Sequence, residues 1–170
     1  MLENAYKAIG TQFKICVTCD AWYPKKEIIE FINKYDNVEA IVNVRIDTAL
    51  FDLPPEKTGK RGRPQVRGRK LSIDDFEFHS VPDTDYKVAY RHVITNLFGN
   101  KRVLAIVTEK KSENSRRLFI CTNEDACRID PNIISDKNAK AIANVSKELN
   151  CYASFSLRWG IETVFQEQKT

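Results

Sequence analysis

Asp20 and Glu162 are the two acids whose surroundings suggest chemistry. Asp20 ends the strand-like segment Phe13–Cys19, and Glu162 lies in the run Phe155-x2-Arg158-Trp159-x2-Glu162-x2-Phe165-x3-Lys169. Carboxylates are ligands for hard divalent cations, which take oxygen donors and keep several waters, whereas arginine and lysine grip phosphate oxygens through charge-assisted hydrogen bonds. At about 100° per residue, Phe155, Arg158, Glu162 and Lys169 share a helical stripe roughly 60° wide. One acid and two bases therefore stand together beside aromatics. Taken alone, the same stripe also describes an amphipathic surface helix with an Arg158–Glu162 pair worth about 0.2–0.5 kcal/mol. Trp22 and Trp159 are flat enough to stack on an unpaired base and equally suited to a core.

The second chemical feature is a run of cations. Residues Lys57 to Lys70 hold seven basic side chains (Lys57, Lys60, Arg61, Arg63, Arg67, Arg69 and Lys70) and no acid, which leaves 20 basic against 23 acidic residues elsewhere in a chain of net charge +4. Positive charge gathered in one place points to one anionic contact rather than a uniformly adhesive surface. Within it, Arg61-Gly62-Arg63-Pro64 resembles the core of an AT-hook, an extended segment whose arginines enter the narrow minor groove of A/T-rich DNA. A solvated linker that binds any polyanion fits the charge run as well.

The thiols and imidazoles offer less. Five cysteines, an odd number, read as reduced thiols of a cytosol. Cys16 and Cys19 sit three apart on a predicted strand and so face opposite ways, and the Cys121 and Cys127 spacing does not suit a zinc knuckle. All five read as small buried hydrophobes, and His79 and His92 as isolated side chains without metal-like spacing.

The elements that must position these residues are legible from apolar spacing. Leu2, Ala5, Tyr6 and Ile9 predict a helix stopped by Gly10. Phe13–Cys19 predicts a strand, Pro24 opens a second helix with Ile28, Ile29, Phe31 and Ile32 on one face, and 38–46 predicts another strand. Strand, helix, strand in some thirty residues is a parallel βαβ-type unit, which puts Asp20 at the carboxyl end of a parallel strand, where α/β sheets build their sites. Residues 54–70 read as a loop or disordered basic arm, and 71–130 as a β-rich insertion dominated by an antiparallel meander. Residues 131–170 read as a helical segment with Ser135 or Asp136 as N-cap and Ala139, Ile142, Ala143 and Leu149 on one face. The 170 residues are about one domain. A composition 42% hydrophobic and 29% charged excludes collagen-like and wholly disordered classes, and no apolar run approaches the about 20 residues of a membrane span.

In this arrangement the sequence resembles the DDE transposases of bacterial insertion sequences, in the cut-and-paste branch with a Tyr-x2-Arg-x3-Glu-x6-Lys signature. Phe155, Arg158, Glu162 and Lys169 match that spacing, with Phe in place of Tyr, and Asp20 in Val17-Thr-Cys-Asp-Ala-Trp-Tyr23 looks like the family's second catalytic Asp. Gly62-Arg-Pro64 with Gly68 and Lys70 is similar to the basic Gly-Arg-Pro stretch of these enzymes. The resemblance covers nearly the whole chain.

The resemblance implies a ribonuclease H-like α/β fold: a mixed sheet with flanking helices and a β-rich insertion before the helix bearing the Glu. It implies DNA strand cleavage and transfer, with two Mg²⁺ (or Mn²⁺) ions clamping the attacking and leaving oxygens of an in-line phosphoryl transfer. Asp20 and Glu162 would then be catalytic metal ligands, and Arg158 and Lys169 would hold phosphates of the transposon end. Trp159 and the arm residues Lys60, Arg61, Arg63, Arg67, Arg69 and Lys70 would add to the DNA contact. The family's first Asp belongs to a strand upstream of the first helix seen here, so the N-terminal strands are expected to be missing, with metal binding weak and the chain alone inactive. Asp47 is the only nearby substitute ligand, on a different strand from the one the family uses. DNA, and a second transposase chain, are the expected partners, in the cytoplasm at the nucleoid and away from membranes. The alternative is a non-catalytic DNA-binding remnant acting through the basic arm.

Overall fold

A computed structural model describes residues 2–21, 26–56 and 64–157. Helix α1 (Leu2–Ile9) ends where Gly10, at φ +79°, donates its N–H back to the Tyr6 carbonyl at 2.9 Å, a left-handed stop that glycine adopts at no steric cost. Strand β1 (Ile15–Cys19), helix α2 (Lys26–Lys34) and strand β2 (Val38–Val44) follow, and β1 pairs with β2 in parallel as the spacing predicts. Pro24 and Trp22 lie outside the described residues. Of the predicted α1 face only Tyr6 is seen to be buried, while Ile9 is 41% exposed. The Tyr6 ring stacks on Tyr35 with centroids 3.8 Å apart, and its hydroxyl donates to Asn37 Oδ1 at 2.9 Å, which pins α1 to the end of α2.

The insertion is β-rich, as expected. Two short strands, β3 (Leu50–Phe51) and β4 (Lys70–Leu71), form an antiparallel pair, β5 (His79–Ser80) lies beside β6 (Tyr86–Thr95), and β6, β7 (Lys101–Lys110) and β8 (Ser115–Cys121) make the meander. The result is one open, mixed eight-stranded sheet in the order β1-β2-β8-β7-β6-β3-β4, with β5 also on β6. Among the described residues only β1 and β2 run parallel, and every other pairing is antiparallel. Because β7 is central, seven consecutive residues from Val103 to Glu109 are buried.

Helices cover both faces. On one, Tyr6, Phe31 and Ile32 of α1 and α2 pack on Val42, Ala105, Val107, Leu118 and Ile120. On the other, Ile41, Leu104, Ile106, Phe119 and Cys121 meet Ile142, Leu149 and Phe155. These last come from α3 (Lys137–Ala143), capped by the Asp136 carboxylate on the amides of Asn138 and Ala139, and from a chain that turns through 147–149 into helix α4 (150–157). Among the described residues no helix is long and apolar enough to cross a membrane.

Candidate functional site

Asp20 stands at the carboxyl end of β1, half-buried, with its position fixed by two donors. The Ala21 N–H and the Asn43 side-chain amide each reach its Oδ1 at 2.8 Å. Asn43 belongs to the neighbouring β2 and faces Phe119 of β8 in the register. Cross-strand partners share a face of the sheet, and Phe119 lies under α4, its ring centroid 4.8 Å from that of Phe155. Asn43, which holds Asp20, and Phe119, which meets the first residue of the helical signature, are therefore cross-strand neighbours on the α3–α4 side. Phe155 is 4% exposed, so its ring fills the core. Arg158, Trp159, Glu162 and Lys169 lie outside the described residues.

Two other acids near this end of the chain are engaged elsewhere. Glu3 receives hydrogen bonds from Tyr35 (2.6 Å) and Lys34 (2.9 Å), in that order the causes that hold its carboxyl below the usual glutamate range. Asp47, four residues beyond the partner of Asp20, forms a two-point pair with Arg45 (2.8 and 3.1 Å). No group of three His, Cys, Asp or Glu side chains placed to hold a metal occurs among the described residues.

The basic arm differs from a free loop at its base. Its residues 57–63, with Lys60, Arg61 and Arg63, lie outside the described residues, but 64–71 return to the sheet. Beyond the β3–β4 pairs, the Asp52 N–H donates to the Arg69 carbonyl (2.9 Å) and the Gly68 N–H to the Asp52 carbonyl (2.8 Å). The two described ends of the arm are thus tied together in a ladder that is rooted on β6. Gly68 is required there by close approach: a Cβ on it would meet Asp52 Cβ at 2.7 Å and the Leu53 carbonyl oxygen at 2.8 Å. Arg67 lays its guanidinium over the Phe51 ring at 4.0 Å and donates to Asn96 Oδ1 at 2.8 Å. Arg69 forks onto Asp75 (3.0 and 3.1 Å) and lies 3.4 Å from Asp52. Both are tied down yet partly open to solvent, and Lys70 is exposed on β4.

Two groupings escape a reading of the sequence. His92 is not isolated: its Nε2 is 2.8 Å from Glu124, thirty-two residues away, and they meet because β6 and the segment after β8 share the α3–α4 face. Likewise Cys16, Cys121, Cys127 and Cys151 gather on that face, whereas Cys19 packs on the other, as strand alternation requires. The Cys121 thiol is pushed well up by its contact with Cys127, and Cys151 by its contact with Cys121, with burial adding to both. They remain protonated, packing as small hydrophobes. Comparison of the chain with known protein families, with curated proteins and with solved structures gave no match.

Proposed function

We propose that this chain carries the part of a ribonuclease H-like DDE transposase catalytic domain that holds its second Asp and its Glu, and that it acts on DNA. The observation that supports this most is Asp20 at the carboxyl end of a parallel strand, held by Asn43, whose cross-strand neighbour Phe119 meets Phe155 on the helix that Arg158 and Glu162 follow in sequence. Strand β1 is also the edge of the sheet, the position at which a further Asp-bearing strand, from this protein or a second transposase chain, would add. Mg²⁺ or Mn²⁺ held by Asp20 and Glu162 would supply the Lewis acid of a phosphoryl transfer. In this reading Asp20 and Glu162 are two acids where three are needed, too few for two ions that shed their waters reluctantly. The chain by itself is therefore a DNA-binding unit that does not cleave.

In this reading the basic arm contacts the duplex through Lys60, Arg61, Arg63, Arg67, Arg69 and Lys70, while Arg158 and Lys169 would hold phosphates and Trp159 would add to the contact. Binding to DNA gives the protein its place at the nucleoid.

Iron-directed backbone cutting tests the acidic site. Fe²⁺ with ascorbate should cut the chain near residues 20 and 162, Mg²⁺ should compete, and Asp20→Ala should abolish both cuts. Cutting at neither position would overturn the transposase site, and DNA binding without cutting would favour the non-catalytic alternative.

A further inference from the structure

Between its pairing with β5 at Val88 and with β3 at Ile94, the outer edge of β6 has no strand partner among the described residues. A pocket of about 660 Å³ opens at this gap, lined by Arg69, Arg91, His92 and Arg102 around Asp52, with Leu53, Pro55, Gln65 and Gly68 on the hairpin side. Three guanidiniums and one carboxylate line it, with Asp75 holding Arg69 and Glu124 beside His92 just outside the lining. Asp52 hydrogen-bonds Arg91 through Oδ1 and lies 3.4 Å from Arg69 through Oδ2, so a single acid bridges two cations as a phosphate would. Arg102 is exposed and makes no ion pair within 4 Å among the described residues. The pocket opens where the arm leaves and rejoins the sheet, since Pro55 and Gln65 flank the segment that holds Lys57, Lys60, Arg61 and Arg63.

We infer that this pocket is a second nucleic-acid contact, which takes a backbone phosphate between Arg91, Arg102 and Arg69, and that Asp52 is the built-in anion it competes with. The volume exceeds that of a lone phosphate and suits a nucleotide unit, whose sugar can lie on Leu53 and Pro55. The lining explains the sign of the ligand: Asp52 pairs with Arg91, Asp75 holds Arg69, and the exposed Arg102, whose charge also lowers the Glu124 carboxyl, adds a further cation at the wall. Arginine rather than lysine in all three positions matches the forked geometry of a phosphodiester. The inference rests on the reading of the arm as a DNA-binding element, but not on any cleavage chemistry.

The test is fluorescence anisotropy of the full chain with a labelled duplex at roughly 50 and 200 mM salt, the range over which each phosphate contact contributes about a threefold loss of affinity. Arg102→Ala should bind more weakly and lose about threefold less between the two salts, because one contact is gone. Asp52→Asn, which releases Arg91 while Asp75 still holds Arg69, should bind more tightly and lose more. Inorganic pyrophosphate should displace the duplex only at millimolar concentration; displacement at micromolar concentration would assign the pocket to a free phosphate and overturn the inference. If Lys60, Arg61 and Arg63 to Ala weakens binding while Arg102→Ala and Asp52→Asn change nothing, the pocket is refuted and the arm reading stands. Should the pocket variants act and the arm variant not, the arm reading fails alone. A wild-type chain that binds no DNA refutes both.

Discussion

Replacing Gly68 by alanine should loosen the base of the arm without touching its charge. The new Cβ would stand 2.7 Å from Asp52 Cβ and 2.8 Å from the Leu53 carbonyl oxygen, where ordinary contact begins near 3.4 Å. Neither neighbour is the end of a flexible side chain, so the two hairpin strands must separate by several tenths of an ångström. That strains the bonds from Gly68 N–H to Asp52 (2.8 Å) and from Asp52 N–H to Arg69 (2.9 Å). Overpacking of this kind costs about 1–3 kcal/mol, and the entropy an alanine removes from the unfolded chain offsets about 0.4–1 kcal/mol. A net loss of about 1–2 kcal/mol lowers the melting temperature of a chain this size by about 2–8 °C. Calorimetry with amide hydrogen exchange is the assay, and faster exchange at residues 52 and 68 is the expected signature. Gly99→Ala is the control: nothing lies within 4 Å of its Cβ, and its φ of +69° alone sets the cost, about 1–2 kcal/mol, with residues 52 and 68 still protected. A Gly68→Ala protein that melts like wild type with both amides protected would refute the steric argument.

Lys60, Arg61 and Arg63 changed together to Ala should reduce the salt slope of duplex binding by up to about 2.7, three contacts at about 0.9 each; an unchanged slope by anisotropy would show that the arm does not meet phosphate. Glu109 is 7% exposed on β7, and Arg116 at 2.7 Å is the first cause holding its carboxyl below the usual range near 4.5, against burial. A lowered folded-state value gives stability that is present above that range and lost as pH falls below it through the lowered value, so Glu109→Gln should flatten the acid side of a denaturant-melt series, and an unaltered pH profile would contradict this. Phe119→Ala removes the ring that meets Phe155 and Tyr152 and should cost about 3–5 kcal/mol by urea unfolding; a loss below 1 kcal/mol would argue that α4 does not pack on β8. Incubation with Mg²⁺ or Mn²⁺ and supercoiled plasmid should give no nicking, whereas nicking abolished by Glu162→Ala would reveal a third metal ligand.

Much of the architecture follows from local pattern. The β-branched run of 38–46, the apolar face of α2 and the alternation of the meander were enough to predict the parallel β1–β2 pair and the three long antiparallel strands, because side-chain period and turn chemistry act over a few residues. The same alternation separated Cys16 from Cys19, and it put Asp20 at the carboxyl end of a parallel strand. Which side chains meet across the sheet was decided only by tertiary structure. Asn43 reaches Asp20 because parallel register sets β2 level with β1. His92 finds Glu124, and four thiols converge, because segments distant in sequence were laid on one face. The arm offers the clearest contrast: its composition announced the charge, yet the ladder through Asp52, Gly68 and Arg69 that ties its two described ends together, and opens a pocket beside it, depends on how β3 docks on β6. Period is a property of neighbouring residues, whereas register and edge pairing are set by the packing of the whole sheet.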